Sequence, residues 1–144
     1  MEARVRALFE RYAAHFNRAI RGDVDLDANA SFYASDFIVA SPLGVMSGKN
    51  DASLRTVMEQ GYAHYRAIGT RDMRILELRI TPIDTLHCTA SVRWRAVYER
   101  PSRSDVALDF DVHYLVQFPE TGDAKIFGWV AGDEESELAK HGIG

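Results

Sequence analysis

Few residues in this chain have the types and neighbours that chemistry would need. Tyr12 and His15 stand three positions apart, which makes them neighbours on the surface of a helix. Of the five histidines, His15 is the one placed to donate and accept a proton near neutral pH. Asp133 is an acid just beyond a run of strand-forming residues, and Ser41 precedes Pro42 at the end of another, FIVAS. Trp94, Tyr98, Tyr114 and Trp129 carry polar tips on otherwise apolar runs, where each O–H or N–H either satisfies a core or meets a ligand. A His or Asp base with phenols aimed at a developing oxyanion is the equipment of metal-free proton transfer. Each residue also has a plain structural use. Ser41 can close a turn, Asp133 can cap a helix, and Tyr12 can be core. No His/Cys/Asp spacing suits a metal. No glycine-rich phosphate loop or G-x-S-x-G elbow occurs, so no cofactor is implied.

The elements that must position these residues follow from periodicity. Val5, Leu8, Phe9, Tyr12, Phe16 and Ile20 recur at helical spacing, predicting a helix over 2–21 ended by Gly22-Asp23. A short helix is expected over 26–33, with Asp23 or Asp25 as its cap. FIVAS reads as a strand, stopped by Ser41-Pro42. Gly44 and Gly48 read as turn positions. Asn50 or Asp51 then caps a helix over 51–68 whose face carries Leu54, Val57, Met58, Gly61, Tyr62, Tyr65 and Ile68. Four strands are expected after it, over 71–82, 86–100, 106–118 and 124–131, before a polar tail.

Period-2 alternation assigns the faces of those strands. Leu76, Leu78, Ile80, the run from Cys88 to Tyr98 at every second residue, and Phe110 to Phe118 likewise share one apolar face. Arg93, Arg95, Asp109, Asp111 and His113 share the other, which makes Asp109-Asp111-His113 a solvated charge ladder rather than a site. One hairpin register sets Arg95 opposite Asp109 and Arg93 opposite Asp111. It also sets Trp94 against Phe110 and Val92 against Val112. In the next hairpin Tyr114 neighbours Trp129, and Val116 neighbours Phe127. The outer face is expected to show Leu115, Ile126 and Val130, a candidate homodimer contact.

The stretch from Phe32 to Asp51 carries a likeness. Tyr33-Ala34-Ser35-Asp36 before a strand, Ser41-Pro42-Leu43-Gly44 after it, and Gly48-Lys49-Asn50-Asp51 before a capped helix together resemble the nuclear-transport-factor-2-like superfamily, and the element order across nearly the whole chain agrees. Its members include ketosteroid isomerases, SnoaL-like polyketide cyclases and scytalone dehydratase. The resemblance implies an α+β cone, a curved antiparallel sheet wrapped around N-terminal helices, with a pocket at its open end. In the isomerases a carboxylate stands where this chain has Ser41, and a serine hydroxyl is no base near neutral pH without an activating partner. The isomerases hold a helix-1 tyrosine as oxyanion donor. Aligning on Arg11-Tyr12 selects Tyr12, and counting back from Gly22-Asp23 selects His15. Tyr114 falls near their second donor, and Asp133 near the late-strand acid of the cyclases.

The bulk numbers bound the rest. The 144 residues suit one domain with a sizeable core. The single Cys88 suits a reducing compartment, hence a cytoplasmic expectation. The chain has no apolar run long enough for a membrane and no secretory-type start. A net charge of −4 disfavours a nucleic-acid partner. Two functions are therefore expected to compete. One is a binder or cofactor-free isomerase, cyclase or dehydratase for an apolar ring- or carbonyl-bearing compound. In it His15 or Asp133 is the base, Tyr12 or Tyr114 the donor, and Ser41, Trp94, Tyr98 and Trp129 line the pocket. The other is a non-catalytic dimerisation or interaction module on the same scaffold.

Overall fold

The computed structural model describes all residues from 1 to 144. Helix α1 spans Glu2–Ala19, α2 Leu26–Ala30, α3 Ala52–Ala67 and α4 Glu134–Lys140; strands run β1 Tyr33–Ser41, β2 Gly44–Lys49, β3 Thr70–Pro82, β4 His87–Arg100, β5 Arg103–Gln117 and β6 Lys125–Ala131. Asp25 caps α2, accepting from the Ala28 N–H, and Asp51 caps α3, accepting from the Ser53 N–H. Gly69 ends α3 at φ +88°, in the left-handed region where a side chain is disfavoured, and a Cβ there would sit 2.7 Å from the Glu99 carbonyl.

The strands form one curved sheet in the order β2-β1-β6-β5-β4-β3. The α+β cone expected from the sequence is therefore present, with one difference in detail: β1 pairs with β6 in parallel, so the sheet is mixed. The β4–β5 register places Arg93 on Asp111, Arg95 on Asp109, Trp94 on Phe110 and Val92 on Val112. Two alternating patterns, charge outside and aromatic inside, agree on that register, because a slip by one residue would reverse every side chain.

Three expectations are corrected. Residues 44–49 are a strand hydrogen-bonded to β1, not a turn. Gly48 serves close packing, since a Cβ there would lie 2.4 Å from the Phe37 ring. A bulge in β3 between Ile75 and Glu77 shifts its parity, so Met73 and Ile75 face inward ahead of it and Leu78 and Ile80 after it, while Leu76 is exposed. A bulge in β6 does the same. Val116 pairs with Ile126, not Phe127, and Ile126 is fully buried rather than on the outer face.

Helix α1 lays Val5, Leu8, Phe9 and Phe16 on the concave face of the sheet. Asn17 ties it to β3, accepting from the Met73 N–H at 2.9 Å and donating to the Met73 carbonyl at 2.8 Å. Fully burying each apolar side chain of that stripe stabilises by about 1.5–3 kcal/mol. Helix α3 buries only Leu54 and Tyr62, so it covers the cone loosely and leaves a hollow beneath it. Helix α4 packs back against the sheet through Leu138 and the following Ile143, and Arg103 donates to the His141 carbonyl at 2.7 Å. No helix is long and apolar enough to cross a membrane.

Candidate functional site

Between α1, α3 and the concave sheet lies a cavity of about 280 Å³. Tyr12 and Phe16 reach it from α1, Tyr33 from β1, Tyr62 and Tyr65 from α3, Trp94 from β4, Tyr114 from β5 and Trp129 from β6. Val57, well exposed on α3, marks the rim, and Gly61 beside it leaves open space where a side chain would otherwise stand. Each aromatic is there because its position belongs to the inward set of a helix stripe or strand face.

The polar tips in this wall are organised. The Trp94 indole N–H donates to the Tyr114 phenol at 3.2 Å. The Tyr12 phenol lies against those of Tyr33 and Tyr114, with its ring 5.7 Å from Trp94 and 6.2 Å from Tyr114. Burial raises all three phenols above their ordinary range. They stay protonated at neutral pH and can act as hydrogen-bond donors.

His15 stands behind this wall rather than in it. Its ring is buried, with Nε2 2.8 Å from the Asp25 carbonyl. A carbonyl only accepts, so Nε2 carries the proton. Nδ1 is then free to accept from the Tyr62 phenol at 3.4 Å, and that phenol accepts from the Asn29 amide. Burial lowers the His15 pKa, partly opposed by the Asp25 carbonyl, which keeps the ring neutral. The sequence left Tyr12 and His15 open as the pocket residue; Tyr12 lines the cavity and His15 orients Tyr62.

The other sequence candidates divide. Trp94, Tyr114 and Trp129 line the cavity. Ser41 sits at the β1–β2 turn, where its hydroxyl accepts from the Leu43 N–H at 3.2 Å. Asp133 is exposed and caps α4, accepting from the Ser136 N–H at 3.1 Å and hydroxyl at 2.6 Å, which holds its carboxyl below the usual range. Tyr98 is fully buried and lines an adjoining cavity of about 130 Å³, its hydroxyl without a partner.

The residue that sequence reasoning missed is Glu134. It is the one carboxylate in the main cavity wall, and it borders the second cavity as well. Its Oε1 is buried and unpartnered. Burial, then the neighbouring Glu135, raises its pKa. A signal existed. If Asp133 is a cap, Glu134 is the first helical residue after a strand that ends at the cone mouth. Cys88 offers no alternative nucleophile, since burial pushes its thiol up to about 11.

A family model described as NTF2-like protein (DUF6841) matches residues 2–134. The chain belongs to this NTF2-like family. No curated protein matches it in sequence. Solved structures agree on the fold. An NTF2-like protein with a cystatin-like fold from Novosphingobium aromaticivorans superposes with TM-score 0.69 at 15% identity, covering 98% of this chain and 86% of that one. A ketosteroid isomerase-like protein from Erwinia carotovora atroseptica gives 0.62 at 15% identity, covering 90% and 93%. The beta subunit of benzoate 1,2-dioxygenase from Burkholderia mallei gives 0.64 at 15% identity, covering 93% and 91%. Likeness at this identity speaks for the NTF2-like fold alone.

Proposed function

We propose that this NTF2-like chain binds a small, mainly apolar, ring-bearing molecule in the cavity beneath α3. The observation that carries the reading is the wall itself: aromatic side chains from both helices and from four strands converge on one hollow with a single carboxylate at its edge. Ligand sites are concave, mostly apolar, and hold few placed polar groups. At about 280 Å³ the cavity holds the volume of about nine waters, which suits a ligand of one or two rings. A thermal-shift and native mass-spectrometry screen of small aromatic ketones, alcohols and amines tests it. A saturable rise in melting temperature with a change in Trp94 and Trp129 emission supports the reading; silence in both counts against it.

A second reading is turnover by cofactor-free proton transfer, as an isomerase, cyclase or dehydratase. Glu134 favours it. It is the carboxyl in the cavity wall, burial raises its pKa above the ordinary range as for groups tuned to take and return a proton, and Tyr12 and Tyr114 in the same wall can donate to an oxyanion. Deuterium exchange at the α-carbon of a bound ketone, lost in Glu134→Gln, is the expected sign.

The outer sheet face supports a homodimer. Ile38, Val45 and Val130 are exposed there on adjoining strands, with Leu115 partly so. Light scattering should give twice the chain mass, reduced to one by Val130→Asp.

A further inference from the structure

We propose that the molecule this cavity takes carries a protonated amine, held by Glu134 and the surrounding aromatic faces. This rests on the binding reading above and makes Glu134 a countercharge, in competition with its use as a base. Two observations converge on a cation. First, the wall is built of Tyr12, Tyr65, Trp94, Tyr114 and Trp129 among other rings, and no Lys, Arg or His lines it. Aromatic faces present negative quadrupole to whatever they enclose, which is how ammonium groups are recognised. An anionic ligand would meet no countercharge here. Second, Glu134 Oε1 is a buried acceptor with no donor. A neutral hydrocarbon would leave it so, at the desolvation cost of an unmade hydrogen bond; an ammonium N–H completes it. The adjoining cavity adds no second cation site: of the acids that border it, Asp109 and Asp111 are engaged by Arg95 and Arg93 from the outer face, Glu137 pairs with Lys140 at 2.9 Å, and Asp133 accepts from Ser136, which leaves Glu134 as the carboxyl without a partner. Tyr12 and Tyr65 share one cavity wall with Glu134 and Tyr98 shares the other, and burial keeps these phenols protonated and neutral, so none competes for the positive charge.

The experiment uses three compounds of matched size: benzyldimethylamine, protonated at neutral pH; isobutylbenzene, its neutral carbon isostere; and phenylacetate, an anion. Affinities are measured by calorimetry and tryptophan emission on the full chain and on Glu134→Gln, whose melting curve verifies that it folds. The amine is expected to bind at least about tenfold tighter than the isostere, with phenylacetate weakest. That preference is expected to fall by about tenfold in Glu134→Gln while isobutylbenzene is unaffected. Isobutylbenzene binding as tightly as the amine overturns the inference and leaves the binding reading standing. Phenylacetate binding tightest does the same. An amine preference that survives Glu134→Gln overturns the role of Glu134. No binding of any of the three at millimolar concentration overturns the inference together with the binding reading.

Discussion

The two faces of the β4–β5 hairpin hold polar groups in opposite conditions. Outside, Arg93 donates to Asp111 at 3.1 Å, Arg95 makes two bonds to Asp109, and Ser91 meets His113 at 2.8 Å. Inside and at its open end, the Tyr98 hydroxyl and Glu134 Oε1 are buried with no partner at all. Exposed, satisfied pairs contribute little to stability because water competes for every member. Buried, unsatisfied groups are costly, and a native protein keeps few of them without a use. In this molecule the text pattern that most resembles a site, Asp109-Asp111-His113, is paired surface structure, and the polar atoms left without a partner lie on the buried side.

The largest effect should come from the packed wall behind the cavity. Phe9 is fully buried, with its ring 4.8 Å from that of Tyr114. Phe9→Ala is expected to lower stability by about 3–5 kcal/mol in chemical denaturation. A loss well below that range would mean that this wall is as loosely filled as the hollow in front of it.

Gly61 sharpens the contrast from the other side. It lies within α3 without a positive φ, and a Cβ there would meet nothing within 4 Å. A helix-interior glycine is unfavourable relative to alanine, so Gly61→Ala should raise stability by about 0.5–1 kcal/mol. Gly61→Leu should keep the fold and lose the ligand by filling the space. A destabilised alanine variant would mean that the cavity is already closed there.

Glu134→Gln separates a site carboxyl from a surface one by its pH dependence. Glu134 has a raised pKa in the folded state. Between its ordinary value and that raised value the folded chain binds more protons than the unfolded one, so its contribution to stability falls as pH rises. Removing the charge should make the variant more stable than the parent at neutral pH, with the gain vanishing in acid below the ordinary carboxyl range. The depressed carboxyls of Asp36, Asp51, Asp84, Asp109 and Asp133 act alike in both proteins and cancel in the difference. Thermal unfolding across pH reads it. Least of all, Arg93→Ala should move the melting temperature by no more than about two degrees.

Much of this architecture is legible from residue order. The β4–β5 register follows from charge and aromatic patterns that agree, and the helix ends follow from Asp25, Asp51 and Gly69. The bulges at Leu76 and Phe127 are not legible, because one extra residue reverses parity without changing composition. For the same reason strict alternation puts Ile126 on the wrong face. Strand β2 is hidden by its two glycines, one of which packs on Phe37 rather than turning the chain. In the site, periodicity places Trp94, Tyr114, Trp129 and Tyr12. It does not place Glu134, whose importance depends on α4 folding back over the cone mouth, a long-range contact that local spacing does not encode.

The decisive measurement is a crystal structure of the protein soaked with the tightest binder from the aromatic screen. Ligand density is expected in the hollow between Tyr12, Trp129 and Glu134, with a donor atom of the ligand within hydrogen-bond distance of Glu134 Oε1. Density on the outer sheet face, with the hollow empty or collapsed, would refute the binding site proposed here.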